Sequence, residues 1–527
     1  MTALALARPT LPTAPAYLAA TEKFNQICAD LQGAATQTMT HSALENQLES
    51  EGRELLRRLL QAHFDERGPG LSAVPVVDAE GQLHAQPRRH TRQLESLFGT
   101  VEVTRTGYGG SGQSSLHPLD AALALPPERY SHAVRERVAQ AAAQLSFDEV
   151  VTQLEQQSGA HVPKRQAEEL AQRAAQDFTA FYGQPEEARA VVTPAADDIL
   201  VLSSDGKGVP LRACDLRPVT RVAAAERQHK LQQRRSRGEK SGGKRMSTVA
   251  TVYTSAPFVR TPEQLLRELQ PGAQAVPVER PRPQDKRVWA SLAQPPQEVI
   301  RQAFAEAQRR DPWHQQPWAL LVDGSAYQLK ILHLVAREYQ VQPTVVLDFI
   351  HVCEYVWGAA WSLFREGDPA AEVWVQVRLR EILRGRSTQV AAGMRRSATL
   401  RGLAPKERVG VDKCANYLGK YRAYLHYDQY LAAGLPIATG VIEGACRYLV
   451  KDRMELTGAR WRLTGAEAVL CLRSLRASGD WEAYWAFHLQ QEYQRHHARQ
   501  YALGKVPALV PSTPAPANSR AHLRLVT

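Results

Sequence analysis

Three apolar runs in one stretch of the chain each stop at an aspartate. Ile199–Ser203 leads to Asp205-Gly-Lys-Gly, Trp318–Val322 to Asp323-Gly, and Thr344–Leu347 to Asp348-Phe-Ile-His351. Runs of this length bounded by turn residues read as buried strands. A helical pattern from Ala326 to Tyr339 separates the second from the third, and Met246–Tyr253 reads as a further strand. Strands alternating with helices predict an α/β segment over 195–350, whose ligands would bind at the carboxyl edge of the sheet. The glycines after Asp205 and Asp323 keep bulk away from that edge. Carboxylates gathered there repel unless a cation lies between them. Hard oxygen donors suit Mg²⁺ or Mn²⁺, and a third carboxylate would complete a site for two divalent ions. Asp-Gly is also an ordinary turn signal, and taken singly each pair reads first as a turn.

The third carboxylate is expected at Glu443, in Thr439-Gly-Val-Ile-Glu-Gly-Ala-Cys-Arg-Tyr-Leu-Val-Lys451. Ile442, Ala445, Cys446 and Leu449 form an apolar stripe, while Glu443, Arg447 and Lys451 share another face. A glutamate in a first helical turn paired with Arg447 is the plain alternative. Gly444 inside a helix costs about 1 kcal/mol relative to alanine and is kept more readily where something approaches closely. Arg447, Lys451 and Arg453 would then meet phosphates. Arg460-Trp461-Arg462 places an aromatic between two cations, suited to base stacking or simply to the core.

Upstream, residues 41–125 read as a helix (Ser42 to Phe64) followed by a small β region, with Ala73–Val77 and Phe98–Tyr108 as strands. Asp78-Ala-Glu-Gly is a turn, and the loop between the strands holds Arg88, Arg89, His90 and Arg92, either solvated or touching phosphate. Residues 126–190 are predicted helical. Ser146-Phe-Asp-Glu149 is a capping box, Gly159 ends that helix, and Pro163 opens another carrying Lys164, Arg165 and Arg173. Two short helices joined by a glycine-containing turn fit a helix-turn-helix or a plain helical hairpin. Lys207 and the basic stretch Glu226–Arg245, with Arg234, Arg235 and Arg237, add candidate DNA contacts. Residues 351–435 read as a helical insertion, 436–500 as the Glu443 helix and C-terminal helices, and 1–40 and 501–527 as disordered or weakly ordered tails.

The 527 residues imply several domains, and 44 % hydrophobic residues suffice for real cores. A formal net charge of +11 favours a polyanionic partner, nucleic acid first. Six cysteines without CxxC pairing exclude a zinc ribbon or disulfide framework and read as reduced core thiols. No run approaches the ~18 apolar residues that span a bilayer, and prolines interrupt the N-terminus, so a cytoplasmic protein with no membrane partner is expected.

Several segments together carry a family resemblance. They are Leu94-Glu-Ser-Leu-Phe-Gly-Thr-Val-Glu-Val, Ser203-Ser-Asp-Gly-Lys-Gly-Val, Lys286-Arg-Val-Trp-Ala-Ser-Leu, Leu321-Val-Asp-Gly, Asp348-Phe-Ile-His, Ile437-Ala-Thr-Gly-Val-Ile-Glu-Gly-Ala-Cys-Arg and Thr457-Gly-Ala-Arg-Trp. In order, they resemble bacterial insertion-sequence transposases of the ISKra type, similar to the wider Mutator-like group. The resemblance implies an RNase H-like α/β catalytic domain with a large all-α insertion, an Asp-Asp-Glu triad and two divalent metal ions. Transposon-end and target double-stranded DNA would be the substrates, and the protein a homodimer or higher oligomer. On the matching positions the triad and metal ligands are Asp205, Asp323 and Glu443, with Asp348 and His351 as the auxiliary element. Asp348 also ends a strand and is the alternative second acid; strand order favours Asp323. A DNA-binding repressor without activity and a structure-specific nuclease are the competing readings.

Overall fold

The computed structural model describes residues 15–110, 112, 114–184, 197–226, 243–269 and 280–511. Arg234, Arg235 and Arg237 lie outside them. The chain forms two compact units, Phe178–Trp481 and a second made of Met1–Asp177 with Glu482–Thr527.

The Phe178–Trp481 unit is built on a five-stranded mixed sheet. Its strands are β3 (Ile199–Pro210), β4 (Lys244–Ser255), β5 (Gln284–Ser291), β6 (Trp318–Val322) and β7 (Thr344–Leu347), in the order β5-β4-β3-β6-β7; β1 and β2 belong to the other unit. β3, β4 and β5 pair antiparallel, whereas β6 and β7 run parallel to β3. The two parallel strands are short and buried on nearly every residue, as a sheet covered on both faces requires. Their edges agree with the sequence-predicted runs. β3 differs: it continues through Asp205 to Pro210, pairing with β4 all the way, so Asp205-Gly lies within a strand and is not a turn. β5, buried on every residue from Arg287 to Ser291, and the helix Pro296–Arg310 are further elements of this unit.

Helices Phe349–Ala360, Pro369–Leu383, Ser387–Leu400 and Val409–Lys420 follow β7. They share a single core with the sheet: Trp374, Ile382, Met394, Cys414 and Leu418 belong to the same buried cluster as Leu200, Leu320 and Val346. The segment 351–435, expected to be helical, shares its core with the sheet. One buried ion cluster anchors Pro296–Arg310 to β5. Glu306 accepts from Arg287 at 2.7 Å, from Arg309 at 2.7 Å and from Arg310 at 2.9 Å.

The other unit starts with helices Leu18–Gln32 and His41–Arg67, so residues 15–40, expected to be a weakly ordered tail, are largely helical. Tyr17 donates to Glu66 at 3.1 Å, and Arg58 to the Ala19 carbonyl at 3.1 Å, pinning the first helix to the second. β1 (Gln86–Ser96) and β2 (Gly99–Gly109) form an antiparallel hairpin. Arg88 to Arg92, expected in a loop, lie in β1, because they pair in register with Gly107 to Val103 of β2. Ala73–Val77 is not a strand, although the Asp78–Gly81 turn forms. Helices His132–Ala142, Phe147–Gln157 and Lys164–Ala174 then pack together, with both halves of the Ser146/Glu149 capping box in place. Residues 501–511, expected in a tail, return to this unit: Tyr501 packs with Val76, Leu116 and Ala121, and Leu509 pairs with Ser72.

Among the described residues, no helix is long and apolar enough to cross a membrane. Replacing Glu306 by Gln leaves Arg287 and Arg310 buried without their counter-charge and should cost about 3–5 kcal/mol. Burial by itself raises the Glu306 carboxyl pKa, but the three arginines outweigh it and the net shift is downward. Its contribution is therefore complete above the ordinary glutamate value and is lost as pH falls through the lowered one. Chemical denaturation of wild type and Glu306→Gln across the acid range checks both expectations, and a variant with wild-type stability at neutral pH would refute them.

Candidate active site

β3 and β6 pair in parallel with Ser203 opposite Leu321, and β6 and β7 with Val322 opposite Leu347. Continuing this register sets Asp205 level with Asp323, and Asp323 level with Asp348. Three acids thus line one sheet edge on three adjacent strands.

Asp323 is half-buried, and among the described residues its carboxylate accepts from the Ser325 N–H at 2.8 Å. Gly324 next to it has φ +94°, and a Cβ there would meet Leu347 and the Tyr417 hydroxyl at 3.2 Å. The chain can turn away from β6 here only through glycine. Ser325 then caps the helix Ala326–Glu338. The helical segment grips these strand ends through tyrosines. Tyr417 donates to the Asp323 carbonyl at 3.3 Å, Tyr421 to the Gly324 carbonyl, Tyr427 to the Leu347 carbonyl at 2.8 Å, and Tyr430 to the Val345 carbonyl at 3.1 Å. Buried carbonyls left without strand partners are satisfied in this way.

Asp348 is fully buried. One oxygen accepts from the N–H groups of Ile350 (3.1 Å) and Thr439 (3.3 Å). The other faces His351 Nδ1 at 2.6 Å and the Thr439 hydroxyl at 2.9 Å. The Thr439 hydroxyl also lies 3.0 Å from Glu443 Oε1. Its single proton cannot be donated to both carboxylates at once. Burial pulls the His351 imidazole down, but the hydrogen bond and charge of Asp348, with Glu354 and Asp323 adding, make the net shift upward.

Glu443 stands exposed on the short helix Gly440–Ala445. The alternative pairing with Arg447 does not form: Arg447 is 3.8 Å from Asp452. Three residues past Glu443, the Cys446 thiol donates to Asp205 Oδ2 at 3.2 Å, tying this helix to β3. Burial raises the thiol pKa, and Asp205 and Glu443 raise it further, so it remains a protonated donor. Cys446, expected to be an inert core thiol, is the direct link between the elements bearing two of the acids. Its place three residues after Glu443 on a helix was the one signal available.

A π-helix follows over Cys446–Lys451. Its wider turn leaves carbonyls poorly satisfied, and π-turns concentrate at functional sites. Arg473 donates to the Leu449 carbonyl at 2.6 Å and to that of Tyr448. Among the described residues, a Cβ at Gly440 would meet no atom within 4 Å, and one at Gly444 none nearer than 3.7 Å. Lys207 on β3 and Lys451 both act on Glu455, which is held below its ordinary value first by Lys244.

Two expected DNA contacts are corrected. Arg453 is buried and lies 4.8 Å over the Trp461 ring. Trp461 is itself buried and donates to the Met454 carbonyl at 3.0 Å, so the pair is core. Arg447, Lys451 and Arg460 are exposed. In the other unit, Arg173 pairs with the largely buried Glu128, which Arg135 also contacts, whereas Lys164 and Arg165 pair with Asp148 and Glu169 at the surface. Pairs this exposed hold their cations only weakly.

Two groups of ligand atoms within 4.8 Å of one another could hold a metal ion: Asp348 with His351 and Glu443, and Asp177 with His488 and Glu492 in the other unit. Asp205 and Asp323 belong to neither. Asp348 already faces the N–H groups of Ile350 and Thr439, the His351 ring and a Thr439 hydroxyl shared with Glu443, so a cation there would compete with these partners. In the second, Arg495 pairs with both carboxylates and Arg135 with Glu492, which makes it an ion-pair network. Searched against protein-family models and against curated proteins, the chain has no match in either.

Replacing Asp348 by Asn removes the charge that holds the His351 imidazole up, and its pKa should fall. Stability owed to the raised pKa is present below the ordinary imidazole value of 6.5 and lost as pH rises through the raised one. Histidine-ring NMR titration of wild type and Asp348→Asn measures the shift; an unmoved His351 resonance would contradict the assignment.

Proposed function

We propose that the chain is a DNA transposase that cuts transposon ends and joins them to target DNA, with Asp205, Asp323 and Glu443 as its catalytic acids. The observation that carries this reading is the level placement of Asp205 and Asp323 on adjacent parallel strands, together with the Cys446–Asp205 hydrogen bond that draws in the helix bearing Glu443. The strand order, with three antiparallel strands followed by two parallel to the first, is the one expected of an RNase H-like domain. It supports that fold, with the helices after β7 as its elaboration.

The donor set fits hard divalent cations. Asp205, Asp323 and Glu443 offer carboxylate oxygens that are exposed or half-buried at a sheet edge. Two Mg²⁺ or Mn²⁺ ions bound there would supply the charge that activates an attacking hydroxyl and stabilises the leaving oxygen. Asp348, engaged by its four contacts, serves to position: it fixes Thr439, and through it Glu443, and it orients His351. This favours Asp323 over Asp348 as the second ligand. Lys207, Arg447, Lys451 and Arg460 form the basic surroundings that would hold a phosphate backbone, and the helices of 146–175 would read the terminal repeats. Bringing two ends together calls for a homodimer or higher oligomer.

Purified protein with Mg²⁺ and transposon-end duplex should cleave and join strands. Asp205→Ala, Asp323→Ala and Glu443→Ala should each lower the rate on the order of 10³-fold or more, with end binding kept. Retained cleavage removes that residue from the triad. Tight end binding without cleavage by the wild type would favour the repressor, and cleavage of branched DNA without joining would favour the nuclease.

A further inference from the structure

The β1–β2 hairpin buries cations as well as apolar side chains. Its register sets His90 opposite Arg105 and Arg92 opposite Val103, on the face that also carries Leu94 and Val101. Arg92 and Arg105 retain only 13 % and 18 % of their side-chain exposure. Beside them is a cavity of about 180 Å³, completed by His117, Asp120, His496 and His497.

The charges in this cavity do not balance. Among the described residues Asp120 is the one carboxylate lining it, and it serves both arginines through the same oxygen: it pairs closely with Arg105 and lies 3.5 Å from Arg92. Its other oxygen and Arg105 Nε are buried and have no hydrogen-bond partner among the described residues. Arg92 also donates to the carbonyls of Pro126, at 3.0 Å, and Glu128, which fixes it in place. Arg105 has no comparable backbone anchor among the described residues. The histidines do not offset this excess. Burial, then Arg105, His90 and Arg92, push His117 down to about 4. His497 is likewise lowered, first by burial, and its Nε2 sits 2.8 Å from the Leu125 carbonyl. A buried cation without full compensation is costly, and a guanidinium fork is matched to a tetrahedral oxyanion.

We propose that this cavity is a phosphate-binding site, with Arg105 as its principal ligand and His117 and His496 beside it. At about 180 Å³ it falls below the ~300 Å³ of a typical small-molecule pocket. It therefore takes a phosphate group and leaves any attached nucleoside outside. The group is carried either by a nucleic-acid backbone or by free phosphate. The site is remote in sequence from the sheet-edge acids and does not rest on their catalytic role.

The test begins with thermal unfolding of the full-length protein in inorganic phosphate against chloride at matched ionic strength. A saturable rise in the melting temperature is expected, as for any ligand of the folded state. Arg105→Gln should abolish the rise. Asp120→Asn, which removes the competing carboxylate, should make stability depend more steeply on phosphate, an effect opposite to that of losing a structural ion pair. His117→Gln weakens the same response and serves if Arg105→Gln does not fold. Duplex-DNA binding across salt concentrations separates the sources. A backbone phosphate in the cavity lowers the log K against log[salt] slope by about one on Arg105→Gln. An unchanged slope with the phosphate response lost assigns free phosphate. A phosphate response of equal size in wild type and Arg105→Gln, with the slope also unchanged, overturns the proposal.

Discussion

The candidate active site depends on the parallel pairing of β6 between β3 and β7. Parallel ladders keep successive strands in step, so an acid two residues past Ser203 and one two residues past Leu321 arrive at the same level. Short strands achieve this only if their ends are held. Here the hold is supplied from outside the sheet by the hydroxyls of Tyr417, Tyr421, Tyr427 and Tyr430, bonded to the carbonyls of Asp323, Gly324, Leu347 and Val345. The helices after β7 therefore act as a clamp on the geometry of the acids, which explains why they share one core with the sheet.

The acids that result differ in character. Asp348 is enclosed and already hydrogen-bonded, Asp323 is half-buried beside a glycine turn, Asp205 is shared with a thiol, and Glu443 faces outward. Environment divides the roles: the most satisfied carboxylate is the least able to take a further partner, and the least satisfied are those free to act on something outside the chain.

Much of this was legible in the sequence because it is local. β6 and β7 are continuous apolar runs with clear stops, and the Ser146/Glu149 capping box needs only four residues. The helix 41–67 shows its stripe throughout. What could not be read depends on partners distant in the chain. Nothing local shows that Asp205-Gly stays in a strand, since β4 alone keeps it there. The Cys446 contact spans from β3 to a late helix. Arg453 was expected to meet phosphate with Arg447 and Lys451, because composition does not reveal its burial against Trp461. The tyrosine hydroxyls likewise find their carbonyls only once the helices have docked. The basic run of β1 carries no strand pattern of its own, and only its pairing with β2 makes it a strand.

The π-helix Cys446–Lys451 has a consequence for how this segment tolerates change in length. A π-turn holds one residue more than an α-turn, with Arg473 covering the carbonyls it exposes. Deleting a single residue there would let the backbone relax to ordinary helical winding and turn everything after it by roughly 100° relative to Glu443. Trp461 would then swing away from the Pro210 carbonyl to which its N–H donates at 3.1 Å, and so from the end of β3. The segment is therefore intolerant of a one-residue indel, although many single substitutions on its exposed face would pass unnoticed. Among variant chains, length across 446–451 should stay constant even where residue identity drifts.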